Sequence, residues 1–136
     1  MQHNIKDLIL YRLEKSKQDF ESAEILFGKS KHAQSLNRSY YTVFHAIRAL
    51  LALDKFDSKK HSGVVSYFIK NYIATGIFKK EYSKIILRAE KFRSKSDYMD
   101  FYKVSRKDAE GQLKDAKVFL KILEKYILKR LDEKSG

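Results

Sequence analysis

Arg38, Tyr41, His45 and Arg48 follow one another at intervals of three, four and three residues, and their side-chain types suit chemistry at a phosphodiester. At about 100° per residue, a helix carrying them places the other three within about 60° of His45, while Leu36, Val43, Ile47 and Leu50 gather about the opposite pole. Arg38 and His45 are two turns apart, about 10.5 Å along the axis, so both can reach one phosphate lying across the helix. An imidazole ordinarily titrates near about pH 6.5, which lets it take a proton from a 2′-hydroxyl or return one to a leaving oxygen. A permanently charged guanidinium stabilises the charge that develops on phosphorus oxygens. The same spacing also serves a solvated helix face or a subunit contact without chemistry, and one Arg-x6-His does not separate these readings.

Two other clusters are candidates. His61 follows Lys59 and Lys60 at an expected helix start, where an anion can bind or the ring can simply pack. Arg88, Lys91, Arg93 and Lys95, interleaved with Phe92 and Tyr98, form either a single-stranded nucleic-acid surface built from charge and stacking or a solvated face. The chain has no cysteine, no zinc-ligand spacing, no HExxH, no Gly-rich phosphate loop and no nucleophile elbow. Its acidic residues are too scattered for a two-metal site. The expectation is therefore no metal and no cofactor.

The elements that must position these residues are helical. Proline is absent and glycine occurs only five times in 136 residues, which removes the punctuation that strand turns need. Asn4 is placed to cap a first helix reaching about Phe27, with Ile5, Leu8, Ile9, Leu13, Phe20, Ala23 and Phe27 as its apolar series and Gly28 as its stop. A second helix spans about residues 32–53 and carries the polar stripe on the side away from its apolar set, which includes Tyr40 and Phe44. A third begins near Ser58 and stops at Gly76; a fourth runs from about Lys79 through Phe92. Residues 94–104 have the weakest periodicity and read as a loop. Ser105 with Asp108 then resembles a capping box that opens the last helix, which reaches about Arg130 before a frayed tail. Val118, Phe119, Ile122 and Tyr126 widen that helix's apolar surface for the bundle centre or a dimer interface. The expected architecture is all-α, an antiparallel up-and-down bundle of four to five helices forming a single domain over residues 1–136, with its core at about 4–130.

The net charge of +12 is unevenly distributed: residues 28–98 hold fifteen basic and five acidic side chains. Such a field attracts RNA, nucleotides or an acidic protein, although a lysine-rich proteome gives the same excess. No apolar run approaches a membrane span of roughly 18 residues, and the N-terminal stretch mixes charge into its apolar residues, unlike a signal peptide. A cytoplasmic protein with no membrane association is the expectation.

The ordered segments Asn37-Arg38-Ser39-Tyr40-Tyr41-Thr42-Val43-Phe44-His45-Ala46-Ile47-Arg48-Ala49-Leu50, Lys60-His61-Ser62-Gly63-Val64, Arg93 with Asp97-Tyr98, and Val104-Ser105 ahead of Asp108-Ala109 resemble the HEPN (higher eukaryote and prokaryote nucleotide-binding) domain across about residues 8–125. The resemblance implies a small helical bundle, commonly a homodimer, often a toxin paired with a minimal nucleotidyltransferase. It implies metal-independent ribonuclease activity through an Arg-x(4–6)-His motif in a dimer cleft, matched here by Arg38 and His45. Tyr41, Arg48, His61 and Arg93 would then bind nucleotide or RNA, and a tyrosine near the motif, Tyr98 or Tyr41, would accept adenylate from the partner. Two departures leave alternatives open. Ser39 follows the arginine where active members carry a polar amide, acid or histidine. In many branches the motif lies later, where this chain offers Arg93, Asp97 and Tyr98 without a histidine. The alternatives the resemblance leaves are a nucleotide- or RNA-binding module that does not cut, and a dimeric partner-binding subunit.

Overall fold

A computed structural model describes residues 4–135 of the chain, with side chains as far as Glu133; residues 1–3 and 136, which the single-domain expectation includes, lie outside the described part. The described residues form helices and connecting turns with no strand: α1 (Ile5–Gly28), α2 (His32–Ala52), α3 (His61–Phe68), a π turn (Ile69–Ile73), α4 (Glu81–Tyr98) and α5 (Arg106–Ser135). The all-α bundle expected from composition is what forms.

Local chemistry sets the helix ends. The Asn4 side chain accepts the Asp7 N–H at 2.8 Å and starts α1, and the Ser105 hydroxyl accepts the Asp108 N–H at 3.0 Å at the start of α5. The reversal after α1 does not use Gly28 for its left-handed residue. Gly28 is the last helical position, and Ser30 takes φ 59°. Gly76, at φ 80°, closes the turn after the π segment as its residue type suggests. Two boundaries differ from the sequence reading. Residues 94–98, read as loop, extend α4 by more than a turn, because Arg93 pairs with both Glu90 and Asp97 across i,i+3 and i,i+4 spacings that only a helix provides. The tail, read as frayed beyond Arg130, remains helical to Ser135.

Side-chain pairs give the topology. Ala23 with Ser35, Asp19 with Arg38, Ser16 with Thr42 and Arg12 with Arg48 run in opposite orders along α1 and α2, so these two are antiparallel. Phe27 with Arg106 and Lys17 with Glu124 make α1 antiparallel to α5; Phe78 with Tyr126, Tyr82 with Phe119 and Arg88 with Asp115 do the same for α4 and α5. Between α2 and α4 the chain climbs back through residues 53–60 and descends again through α3 and the π turn. Asp54 holds that return by accepting hydrogen bonds from the Tyr67 and Tyr72 hydroxyls at 3.2 and 2.8 Å.

Helix α2 is the axis of the bundle, in contact with α1, α3, α4 and α5. Leu36, Tyr40, Val43, Phe44, Ile47, Leu50 and Leu51 are all buried, as its apolar spacing requires. All of them but Leu36 share one buried cluster with Ile9 and Leu13 of α1, Phe68 of α3, Ile86 of α4, and Phe119, Leu123 and Ile127 of α5. Phe119 is fully buried and belongs to the core, whereas its neighbour Val118 faces outward. No described helix is long and apolar enough to cross a membrane.

Candidate functional site

Because α2 is packed on several sides, its polar stripe is not a free surface. The expectation that it lies away from the packed side is corrected at His45, whose side chain is only 12% exposed, whereas that of Arg38 keeps 37%. What covers His45 is α1. Within the apolar series of α1, the interval of seven between Leu13 and Phe20 contains Ser16 and Asp19, and both are buried among the core positions. The Ser16 hydroxyl donates to the Thr42 carbonyl, and Thr42 in turn donates to the Arg38 carbonyl at 2.9 Å. These bonds fix α1 against one turn of α2, which places Asp19 opposite Arg38 and His45.

Asp19 is 8% exposed and uses both carboxylate oxygens. Oδ2 accepts from His45 Nδ1 at 2.7 Å, and Oδ1 accepts from an Arg38 guanidinium N–H at 3.0 Å. A second guanidinium nitrogen of Arg38 donates to Asn37 Oδ1 at 2.9 Å, and the whole group lies 4.9 Å over the Tyr41 ring. A proton on Nδ1 directed at a carboxylate sets the imidazole tautomer and leaves Nε2 for other work. Arg38 keeps three of its five N–H donors for an anion. Arginine, imidazole and orienting carboxylate are thereby assembled within a single subunit.

The stripe continues through Arg48, which shares Asp57 with Arg12: the two guanidinium groups donate to Asp57 Oδ2 at 2.9 and 3.0 Å. Partial burial pushes the Asp57 carboxyl up, but the Arg48 hydrogen bond, the Ser58 N–H and the charges of Arg48 and Arg12 outweigh it and hold the group below the ordinary carboxylate range. Phe44, Arg48, Asp57, Ser58, Lys59 and His61 line a cleft of about 440 Å³. His61 stacks on Phe44 with ring centroids 4.0 Å apart, and its Nδ1 lies 2.9 Å from the Tyr40 hydroxyl. Burial first, then the nearby charge of Arg93, lowers the affinity of the His61 ring for a second proton.

Arg93 reaches the same region from α4. Its guanidinium sits 4.6 Å over the Tyr40 ring and is paired with Glu90 at 2.8 Å and Asp97 at 3.1 Å. Asp97 and Ser96 face Asn37 and Arg38 across a second cleft of about 340 Å³. Of the two locations that the sequence sets apart, Arg38 and Asp97 therefore line one cleft, while Arg93 packs over Tyr40 and His45 is bonded to α1. Tyr98 stands outside that cleft: as the last residue of α4 it is exposed, next to the exposed Met99 and Phe101. Among the described residues, no group of three or more His, Cys, Asp or Glu side chains is placed to hold a metal ion.

Asp19 and Asp57 are the functional-region residues that sequence reasoning did not identify. A polar residue at a core position of an otherwise apolar series is the available signal for Asp19; Asp57 sits in an irregular connection and gives none.

Comparison with known proteins places this arrangement. A profile of the HEPN domain matches residues 9–126. Two Methanocaldococcus jannaschii proteins, each bearing the name "Putative toxin", are similar to the chain: one is 30% identical over 118 residues, covering 87% of this chain and 80% of the relative. The other is 28% identical over 124 residues, covering 91% and 92%. A Thermotoga maritima protein named "UPF0332 protein" is 29% identical over 120 residues, covering 88% and 91%. The matched profile takes in Asp19, the α2 stripe, His61 and Arg93 together with the helices that bring them to one place, and by that match the chain belongs to the HEPN domain family.

Proposed function

We propose that this chain is a toxin-like HEPN protein that cleaves RNA without a metal ion, with Arg38 and His45 as the reacting pair. The observation that carries the reading is the buried Asp19 carboxylate, bonded at once to His45 Nδ1 and to Arg38. It orients the imidazole so that Nε2 can exchange a proton with a ribose or leaving-group oxygen, and it holds the guanidinium where charge develops on the phosphate. Tyr41, Arg48, His61 and Arg93 supply the surrounding rings and charges that bind nucleotide or RNA. The two similar proteins that carry a toxin name support the toxin-like assignment.

A toxin of this kind acts as a homodimer in the cytoplasm and is restrained by a minimal nucleotidyltransferase partner. Tyr98, Met99 and Phe101, exposed together beside Asp97, offer a surface for a second protein chain and an accessible phenol for modification; Tyr41, half-buried beside His45, is the other phenol near the site.

The test is cleavage of single-stranded RNA by purified protein in the presence of EDTA. His45→Ala is expected to lower the rate by about a hundredfold or more, the usual contribution of a positioned acid or base. Asp19→Asn should lower it less, because the amide retains a hydrogen bond but not the charge. Unchanged cleavage by His45→Ala removes that residue from the reaction. Intact RNA with salt-sensitive binding replaces the enzyme reading with a binding module, for which the fifteen basic against five acidic side chains of residues 28–98 are the supporting observation.

A further inference from the structure

Cleavage through a 2′-hydroxyl requires two proton transfers, one from the nucleophile and one to the leaving oxygen, and a single imidazole supplies one of them at a time. The region around His45 contains a second imidazole with a matching environment. His61 and His45 pack on the same two rings: their centroids lie 4.0 and 6.0 Å from Phe44, and 6.3 and 5.6 Å from Tyr41. Each ring has its Nδ1 bonded to a group within the fold, Asp19 for His45 and Tyr40 for His61. Burial first, and then the nearby Glu90 carboxylate, keep the proton on the buried Tyr40 phenol, well above the ordinary phenol range. When His61 Nδ1–H donates to the phenol oxygen 2.9 Å away, Nε2 of His61 is left with its lone pair.

Resting on the ribonuclease reading above, we propose that His61 is a second catalytic residue of the same subunit, the general base, and that His45 is the general acid. The 2′-oxygen forms a bond to phosphorus as His61 Nε2 takes its proton. The bond from phosphorus to the 5′-oxygen breaks, and that oxygen receives the proton carried by His45 Nε2. The products are a 2′,3′-cyclic phosphate and a free 5′-hydroxyl, and exchange with water restores both rings. Arg48 and Lys59, which line the cleft with His61, neutralise the bridging phosphate. The lowered proton affinity of His61, from burial and from Arg93, keeps the ring in the neutral form a base requires.

The experiment compares wild type, His45→Ala, His61→Phe and His61→Gln on two substrates under EDTA. One is an RNA dinucleotide; the other is a nucleoside 3′-nitrophenyl phosphate, whose phenolate leaves without an acid. Phenylalanine keeps the stack on Phe44, and glutamine keeps a hydrogen bond to Tyr40; neither transfers a proton. Both His61 variants are expected to lose about a hundredfold or more in kcat on both substrates, a loss far larger than any rise in KM, with little change in melting temperature. His45→Ala should lose that much on RNA and far less on the nitrophenyl ester. Wild-type rates in the His61 variants, or a His61 defect that disappears on the activated ester, overturn the proposal and leave the His45 reading standing. Absence of wild-type cleavage overturns both.

Discussion

A carboxylate buried between an arginine and a histidine is costly to leave unpaired, so Asp19 constrains its partners as much as they constrain it. His45 is bonded to this carboxylate, whereas His61 is bonded to the Tyr40 hydroxyl, and the setting of His61 has a consequence for stability. Burial first, and then the charge of Arg93, outweigh the Glu90 carboxylate and shift His61 downward from its ordinary value of about 6.5. A folded state that binds this proton less tightly than the unfolded chain loses stability as pH falls below the ordinary histidine value, until the lowered value is passed. Asp57 is shifted down as well, and its contribution is present above the ordinary carboxylate value of about 3.9 and lost only at more acid pH. Between about pH 7 and 5.5 the melting temperature of wild type should therefore fall more than that of His61→Phe. Parallel curves from thermal denaturation would show that His61 titrates alike in both states.

At the scale of the element, the hairpin between α1 and α2 holds the site in register, since Ser16 and Asp19 of one helix bond Thr42, Arg38 and His45 of the other. The turn that creates the hairpin places Ser30 at φ 59°, a conformation that costs a residue with a Cβ roughly 1 kcal/mol or more. Ser30→Gly should raise the stability measured by urea unfolding by about 0.5–1 kcal/mol, without altering the midpoint slope. A loss of stability would mean that the serine side chain contributes more than its backbone strain costs. The α2–α3 connection is less forgiving. A Cβ on Gly63 would meet Ser58, whose Cβ is only 3.0 Å away, and Ser58 accepts the Lys60 N–H at 3.2 Å. Gly63→Ala should displace the loop that carries Asp57 and slow cleavage more than it lowers stability, a difference that paired kinetic and denaturation measurements resolve.

For the whole molecule, charge governs encounter. Of the excess positive charge, most falls in residues 28–98, which supply Arg38, Arg48 and Lys59 to the two clefts. Each phosphate neutralised releases counterions, so single-stranded RNA affinity should fall with salt at a logarithmic slope of roughly −2 to −4 if three to five cations are engaged. Titrations by fluorescence anisotropy at several ionic strengths check this. A slope near zero would locate the binding energy in contacts other than charge, such as stacking on the half-buried Tyr41.

Periodicity and composition were enough to define the helical bundle, the buried face of α2 and the caps at Asn4 and Ser105, because these depend on residues close together in the chain. They also put Arg38, Tyr41, His45 and Arg48 on one face. The continuation of α4 through Tyr98 was hidden because charged residues break the apolar rhythm there, and it is their own i,i+3 and i,i+4 pairs that sustain the helix. What only the tertiary structure decided is that the polar face is partly covered: Asp19 arrives from α1, nineteen residues from Arg38 and twenty-six from His45, while Arg93 arrives from α4 over Tyr40. Sequence spacing reports neighbours along one helix; the partners that orient an imidazole here lie on different helices, and only their packing brings them within hydrogen-bond range.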